Sequence, residues 1–290
     1  MNNKRFFKLD HFKLLFISGS GSKEMLQGQL TCDMEKLKKD NFLKGAMCNH
    51  KGRVISSFYI FQDQQTDEEA FYMVLKEDLI EKSLKNLENF SPFYKTKMNI
   101  ETELECYGID KYLFKQLFKE GISEELKYFS ENSYYLPFKG LDLGIYINDK
   151  KNQIEKVQKD STGSIQDWLE QDLINKNVEI SKDISEVYLP HELGYHLNGR
   201  VDFEKGCYTG QEIIARMQYR AKKLPNLLLY ESEKIERAIN GKIINKENKK
   251  IGSIVSSYSS KNKNLFLITS KTKESIVFFE NADCEMRLVN

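Results

Sequence analysis

After Pro225 the sequence breaks into six short β-rich runs: Leu227 to Tyr230, Lys242 to Ile244, Ile251 to Tyr258, Leu265 to Ile268, Ile276 to Phe279 and Met286 to Val289. No helical periodicity separates them. Strands this short must pair with one another to satisfy their edges, so a small closed barrel or sandwich is the expected outcome. Upstream the pattern differs. Phe12 to Ile17 reads as a strand, the Ser18 to Ser22 loop offers a serine N-cap, and a helix is predicted over about Lys23 to Leu30. Further strands are predicted at Leu43 to Asn49, Arg53 to Phe61, Ala70 to Leu75 and Met98 to Tyr107. A helix is predicted over Asp78 to Phe90, where Leu79, Ile80, Leu84 and Leu87 keep helical spacing and Pro92 ends the run, and another over Asp110 to Lys119. Antiparallel-looking strands with a few interleaved helices argue for an α+β fold. With 290 residues, 40% apolar and 12% aromatic, the chain can fill two domains. The expected division is 1–222 and 223–290, the first part made of two subdomains.

Forty-four basic and 43 acidic residues nearly cancel, but the cancellation is uneven. From Arg216 to Lys273 there are 14 Lys and Arg against 4 Asp and Glu, so the remainder is net negative. Such a stretch either steers a polyanion or is a solvated, lysine-rich β surface. Three of the seven arginines, Arg200, Arg216 and Arg220, fall within 21 residues. Near the start, Lys8, Asp10, His11 and Lys13 interrupt any secretory core, and no apolar run approaches the roughly 18 to 20 residues of a membrane helix. A cytoplasmic protein with no membrane partner is expected. The five cysteines, Cys32, Cys48, Cys106, Cys207 and Cys284, are widely spaced and read as thiols in a reducing compartment.

Several familiar motifs fail on spacing. Gly19 and Gly21 lack the third glycine of a dinucleotide-binding turn, whose place is taken by Glu24, and Lys23 does not complete a phosphate-binding loop. His191 and His196 flank Glu192 like a zinc-protease signature, but they are five residues apart instead of four, and Gly194 weakens the helix the motif requires. No metal site is expected, and four histidines in all define no catalytic triad.

The densest chemistry lies in Leu189 to Tyr219, which holds four of the sixteen glycines. At its centre stand Lys205, Gly206, Cys207, Tyr208, Thr209, Gly210, Gln211 and Glu212. A lysine two residues before a cysteine, with a helix starting near Gln211, is a setting that lowers a thiol's pKa. Cys207 and Lys205 are therefore the candidate reactive pair; the alternative is a packed thiol and a surface charge.

The octet K-G-C-Y-T-G-Q-E resembles the signature of the YgfZ family of folate-binding, so-called tRNA-modifying proteins, relatives of the aminomethyltransferase (T-protein) of the glycine cleavage system. Gln27 to Thr31 followed by Asp33 is similar to the family's Q-G-Q-x-T-x-D segment, and Asn49-His50-Lys51-Gly52-Arg53 sits where it carries its K-G motif. Ala215-Arg216 continues the signature. The resemblance implies aminomethyltransferase-like folate-binding modules arranged as a ring, ending in a small β-barrel. It also implies tetrahydrofolate or a derivative as cofactor, with Phe12 and the lone tryptophan, Trp168, as counterparts of two tryptophans that face the pterin. Phenylalanine at position 12 keeps the stacking face but lacks the indole donor. Tyr208 is a further aromatic candidate. Glu192 is a candidate acceptor for the pterin N–H groups, and Arg200 and Arg216 are candidates to clamp the folate tail or a phosphate.

In the T-protein the run after K-G leads to a pair of aspartates; here Ser56 and Ser57 stand in the corresponding run, and a serine cannot serve as a carboxylate proton acceptor. A classical aminomethyltransferase is therefore not the expectation. The resemblance implies instead an accessory role in iron–sulfur cluster assembly or repair, and thereby in tRNA methylthiolation, with iron–sulfur proteins such as a tRNA methylthiotransferase as partners. One cysteine cannot hold a cluster alone, so further ligands would come from elsewhere. The alternatives are an active tetrahydrofolate-dependent one-carbon transferase and a direct tRNA-binding module.

Overall fold

The computed structural model describes residues 5–66, 69–119, 125–129, 132–152, 162–233, 240–260, 264–280 and 284–289. Three antiparallel β-units organise them. The first sheet comprises β2 (Phe12–Ser18), β3 (Phe42–Cys48), β4 (Val54–Gln62), β5 (Ala70–Lys76) and β6 (Lys97–Glu101) in the order β3-β4-β5-β2-β6. The second comprises β1 (Phe6–Lys8), β7 (Leu104–Asp110), β8 (Lys127–Phe129), β9 (Ser133–Leu136) and β10 (Leu143–Asp149) in the order β1-β7-β10-β9-β8. The third is a closed barrel of β11 (Asn226–Ser232), β12 (Lys242–Ile244), β13 (Lys250–Ser259), β14 (Asn264–Ser270), β15 (Ile276–Phe279) and β16 (Glu285–Leu288). Mixed α and β content with a closed C-terminal barrel is the expected α+β architecture.

Strand β4 is buried on both faces, and its alternation shows why. Phe58 and Ile60 point to one side, into a core with Met25 and Leu26 of helix α1 (Ser22–Gln29) and Ile80 and Leu87 of helix α2 (Ile80–Glu88). Tyr59 and Phe61 point to the other, into an aromatic core shared with Tyr134, Leu136, Ile145 and Ile147 of the second sheet. The first sheet is thus a middle layer. A short helix, α3 (Ser91–Tyr94), precedes β6, and α4 (Lys111–Phe118) covers the far face of the second sheet through Leu113 and Phe114. Helix α5 (Ile165–Ile174) starts on a Ser164/Asp167 capping box and carries Trp168 into the aromatic core. Helix α6 (Gln211–Arg220) follows the octet.

The barrel strands alternate in the same way. Leu228, Tyr230, Phe266 and Ile268 fill the barrel, while Leu227, Leu229, Leu265 and Leu267 face outward into a core with Val178, Tyr188, Leu193, Tyr195 and Tyr208. Among the described residues no helix is long and apolar enough to cross a membrane.

Three local expectations are corrected. The run predicted as one strand from Met98 to Tyr107 is two strands, broken at Thr102 and Glu103, that serve different sheets. Pro92 does not end the preceding helix but sits in the first turn of the short helix Ser91–Tyr94, where its missing N–H costs nothing. Helix α1 has Gly21 at its N-cap with no side-chain cap, because a Cβ at Gly21 would lie 2.3 Å from the Tyr94 carbonyl oxygen. Close backbone approach there takes precedence over capping.

Phe266 is fully buried inside the barrel, so Phe266→Ala is expected to lower stability by about 3–5 kcal/mol in urea unfolding. Leu197→Ala, at an 82% exposed position, should stay within about 0.5 kcal/mol of the parent.

Candidate functional site

The three segments that resemble the YgfZ signature meet in space. Lys205 Nζ donates to the carbonyls of Gln27 (2.6 Å), Leu30 (2.6 Å) and Cys32 (2.9 Å), so its ammonium closes the C-terminal end of α1, where helix carbonyls lack partners. The ammonium also lies 5.0 Å from the centre of the Tyr208 ring. Thr209 reinforces the tie, its N–H donating to the Gly28 carbonyl at 3.1 Å and its hydroxyl to Gln29 Oε1 at 2.9 Å. Gly210, at φ +85°, faces the Asn49 to Arg53 turn so closely that a Cβ would lie 2.5 Å from the Asn49 oxygen. Only glycine combines that backbone with that approach.

This geometry corrects the role expected of Lys205. Its three hydrogens are engaged with backbone carbonyls, so the residue is a structural tie instead of an activator of the thiol. Burial lowers its pKa. Cys207 itself is exposed, unlike the other four cysteines, three residues ahead of the helix cap at Gly210. Tyr208 is buried beneath the octet and faces the barrel-side core. Arg216 is exposed on α6.

Arg200 and Glu192 are also corrected. Arg200 is fully buried: one guanidinium nitrogen donates to the carbonyls of Phe58 (2.9 Å) and Gly45 (3.2 Å), the other to Glu179 and to Asn177 Oδ1 (3.2 Å). A fork enclosed in this way cannot clamp a tail or phosphate at the surface. Glu192 accepts from the Leu189 N–H at 2.7 Å and pairs with Arg53 at 3.3 Å, which closes its own turn. The turn is a 3-10 helix, Pro190–Leu193, ended by Gly194 at φ +71°. Because it is not an α-helix, the five-residue spacing brings the rings of His191 and His196 to 4.9 Å instead of separating them. Among the described residues no group of three His, Cys, Asp or Glu gathers to hold a metal.

The tryptophan marks a second locus, at the junction of the two sheets. Trp168 lines a cavity of about 170 Å³ with Lys44, Tyr59, Phe138, Gln171, Asp172 and Asn177. Its indole N–H is buried and has no hydrogen-bond partner among the described residues. Phe12 meets Trp168 edge-on at 6.0 Å but belongs to a different hollow, of about 410 Å³, lined also by Lys13, Glu77 and Glu105. Phe12 therefore backs the tryptophan and does not face the same cavity.

Behind this cavity lies a polar network that the sequence reading missed. Glu179 accepts from Tyr59 Oη (2.6 Å), Ser57 Oγ (2.8 Å) and Arg200. Asp172 accepts from Asn177 Nδ2 at 2.9 Å. Burial pushes the Glu179 carboxyl up, but the Arg200 charge and the two hydroxyl donors outweigh it and hold the group below the usual carboxylate range. Asp172 goes the other way: burial and the Glu179 charge raise it. Lys44 is lowered to about 8 by burial and by Arg200. Ser57, read as a lost carboxylate, points at a carboxylate supplied by a distant segment; Ser56 faces away and accepts from Ser83 at 2.9 Å.

Glu179→Gln should cost about 3–5 kcal/mol, because it leaves Arg200 buried without its counter-charge. The Asp172 shift carries a sign: a carboxyl whose folded pKa is raised stabilises fully below its unfolded value, about 4, and loses that contribution as pH rises through its folded value. Asp172→Asn is therefore expected to gain stability relative to the parent between pH 5 and pH 8, checked by urea unfolding at both.

No family model matches the chain. The tRNA-modifying protein YgfZ of Buchnera aphidicola (strain Sg) is 27% identical over 263 residues, covering 85% of this chain and 76% of that protein. The protein of the same name from Colwellia psychrerythraea is 29% identical over 236 residues, 78% of this chain and 71% of that one. The Escherichia coli (strain K12 / DH10B) protein is 26% identical over 227 residues, with 73% and 67% covered. Among solved structures, the glycine cleavage system aminomethyltransferase T from Bartonella henselae superposes with a TM-score of 0.76 over 99% of this chain and 85% of its own, at 14% identity. At that identity the likeness is one of fold. With the octet, the two segments it clasps and this similarity along most of the chain, the protein is a relative of the YgfZ proteins, built on the aminomethyltransferase fold.

Proposed function

We propose that the chain is a folate-binding accessory protein that supports iron–sulfur proteins and thereby tRNA modification, with a folate region over 1–222, a barrel over 223–290, and Cys207 as an exposed working thiol. The observation that carries the folate reading is the Trp168 cavity. It brings together the aromatic walls of Tyr59, Phe138 and Trp168, a carboxyl at Asp172 and the amide of Asn177. That donor and acceptor set suits an amino-pyrimidinone ring, which presents both kinds of group at one edge. Tetrahydrofolate would supply a one-carbon carrier there; the residues of this chain bind and orient it and exclude water.

The proposed role in tRNA modification draws on the relatives, which are tRNA-modifying proteins by name. Cys207 is suited to sulfur or cluster-related chemistry because it is the exposed thiol, on a loop fixed from beneath by Lys205 and Thr209. A tRNA methylthiotransferase is the proposed class of client, and the cytoplasm the proposed compartment.

Two alternatives have specific support. Asp172 and Glu179 supply carboxyl groups that Ser56 and Ser57 lack, which favours a tetrahydrofolate-dependent one-carbon transferase. Turnover of an aminomethylated lipoyl carrier would decide for it. Arg216, Arg220, Lys222 and Lys223 are exposed with Tyr219 along and just beyond α6, which favours direct contact with a polyanion such as tRNA. Salt-dependent tRNA binding whose log–log slope falls by about 1 for each of Arg216→Glu and Arg220→Glu would decide for that.

Trp168 is the lone tryptophan, so its emission reports the cavity directly. Tetrahydrofolate is expected to change that emission saturably and to give a matching calorimetric isotherm, lost in Trp168→Ala. A flat isotherm for the parent chain rejects the folate reading. Cys207→Ser, expressed in cells lacking the native protein, is expected to leave iron–sulfur enzyme activity unrestored; full complementation would make the thiol structural.

A further inference from the structure

The basic C-terminal third divides once folding assigns partners. On the barrel, Lys242 pairs with Glu280 at 3.1 Å, Lys249 with Glu247 at 2.7 Å and Arg287 with Glu285 at 3.0 Å, so part of the positive charge there is neutralised. Arg216, Arg220, Lys222 and Lys223 differ: all four are exposed, and none makes an ion pair among the described residues. Arg216, Tyr219 and Arg220 share one face of α6, at i, i+3 and i+4. Glu212, the acid of that helix, sits in its first turn, about two turns from Tyr219, so the Tyr219 end is the cationic one. Tyr219 is 70% exposed. Its ring contact among the described residues is T-shaped, with Phe203 at 6.3 Å, which leaves at least one face of the tyrosine uncovered by another ring. The end of α6 therefore presents an open aromatic face in a setting of unpaired cations.

We propose that this face of α6 is a stacking platform for an unpaired nucleotide, the partner it fits being a single-stranded nucleic acid. The base lies on the Tyr219 ring, and Arg216, Arg220, Lys222 and Lys223 meet the neighbouring phosphates. Charge complementarity selects an anion, and the open ring selects among anions. A duplex offers phosphates but keeps its base faces stacked on one another, and an acidic peptide satisfies the cations while leaving the ring in water. An unpaired strand supplies phosphates and free base faces together, and the planar guanidinium groups can stack as well as pair. Every base has such a face, so little sequence preference is expected. The inference rests on the reading of α6 as a polyanion surface and is independent of the folate reading; it adds that unpaired bases, and not charge alone, are recognised.

The full chain is titrated by fluorescence anisotropy, over a range of salt concentrations, against a labelled ten-nucleotide RNA strand, the same strand with every base removed, its duplex, and a polyglutamate peptide of equal charge. Tyr219→Ala, folded as judged by native Trp168 emission, is expected to weaken binding of the intact strand at least about fivefold while leaving the abasic strand and the duplex within about twofold of the parent. Tyr219→Phe keeps the stacking face and should bind like the parent. The salt slope for the strand should be unchanged in Tyr219→Ala and lower by about 0.7 in Arg216→Gln, which separates the ring's part from the charge's. Parent-like strand binding by Tyr219→Ala, or an equal loss with the intact and the abasic strand, overturns the platform and leaves a surface driven by charge alone. An equal loss with polyglutamate overturns it in favour of an acidic protein partner. Failure of the parent to bind any of these probes overturns the polyanion reading and the platform with it.

Discussion

The buried pair of Arg200 and Glu179 is the constraint around which the first sheet and the 177–200 segment are arranged. Neither group can be taken from water without the other, and each recruits further partners to complete its shell. Arg200 reaches the carbonyls of Gly45 and Phe58 and so binds β3 to β4 from behind; Glu179 gathers Ser57 and Tyr59 from the same strand. The guanidinium is also flanked by the rings of Tyr59 and Tyr195 at 5.0 and 5.3 Å. The electrostatics of the Trp168 cavity follow from this pair. Glu179 stays ionised because of Arg200, and its charge then discourages ionisation of Asp172.

The octet works on a different principle. Its chemistry, a lysine two residues before a cysteine, suggests activation, yet the lysine faces inward and the thiol outward. Lys205, Thr209 and Gly210 fix the loop to the end of α1 and to the Asn49 turn, and what the loop then presents is Cys207 and the first turn of α6. Motif residues hold the platform, and the atom they display is an exposed thiol.

Legibility from sequence divided along the range of the interactions. The barrel strands were readable because alternation is local: Lys242–Ile244 and Ile276–Phe279 fall where the pattern put them, and α6 begins at Gln211 as expected. Sheet membership was not, since nothing between Met98 and Tyr107 announces that the chain leaves one sheet for another. Trp168 was singled out through the family resemblance, as the counterpart of a tryptophan, and the structure places it on a cavity. Asp172, Asn177 and Glu179 were not, because an acid in a polar stretch looks like any solvated acid until folding buries it. Arg200 failed in the opposite sense: its clustering with Arg216 and Arg220 in sequence dissolves in space, one arginine becoming core and the others surface.

The double-sided strands of the barrel have a further consequence. A barrel that filled its inside and wetted its outside would be a passenger, replaceable and separable at the linker. Here β11 and β14 are apolar on both faces, and the outer row of leucines is shared with Tyr188, Leu193 and Tyr195 from the segment that also contains Arg200. Severing the chain near Pro225 would leave two matching greasy scars instead of two finished surfaces. The barrel is better regarded as a buttress, through which loosening at one end of the molecule is felt at the other.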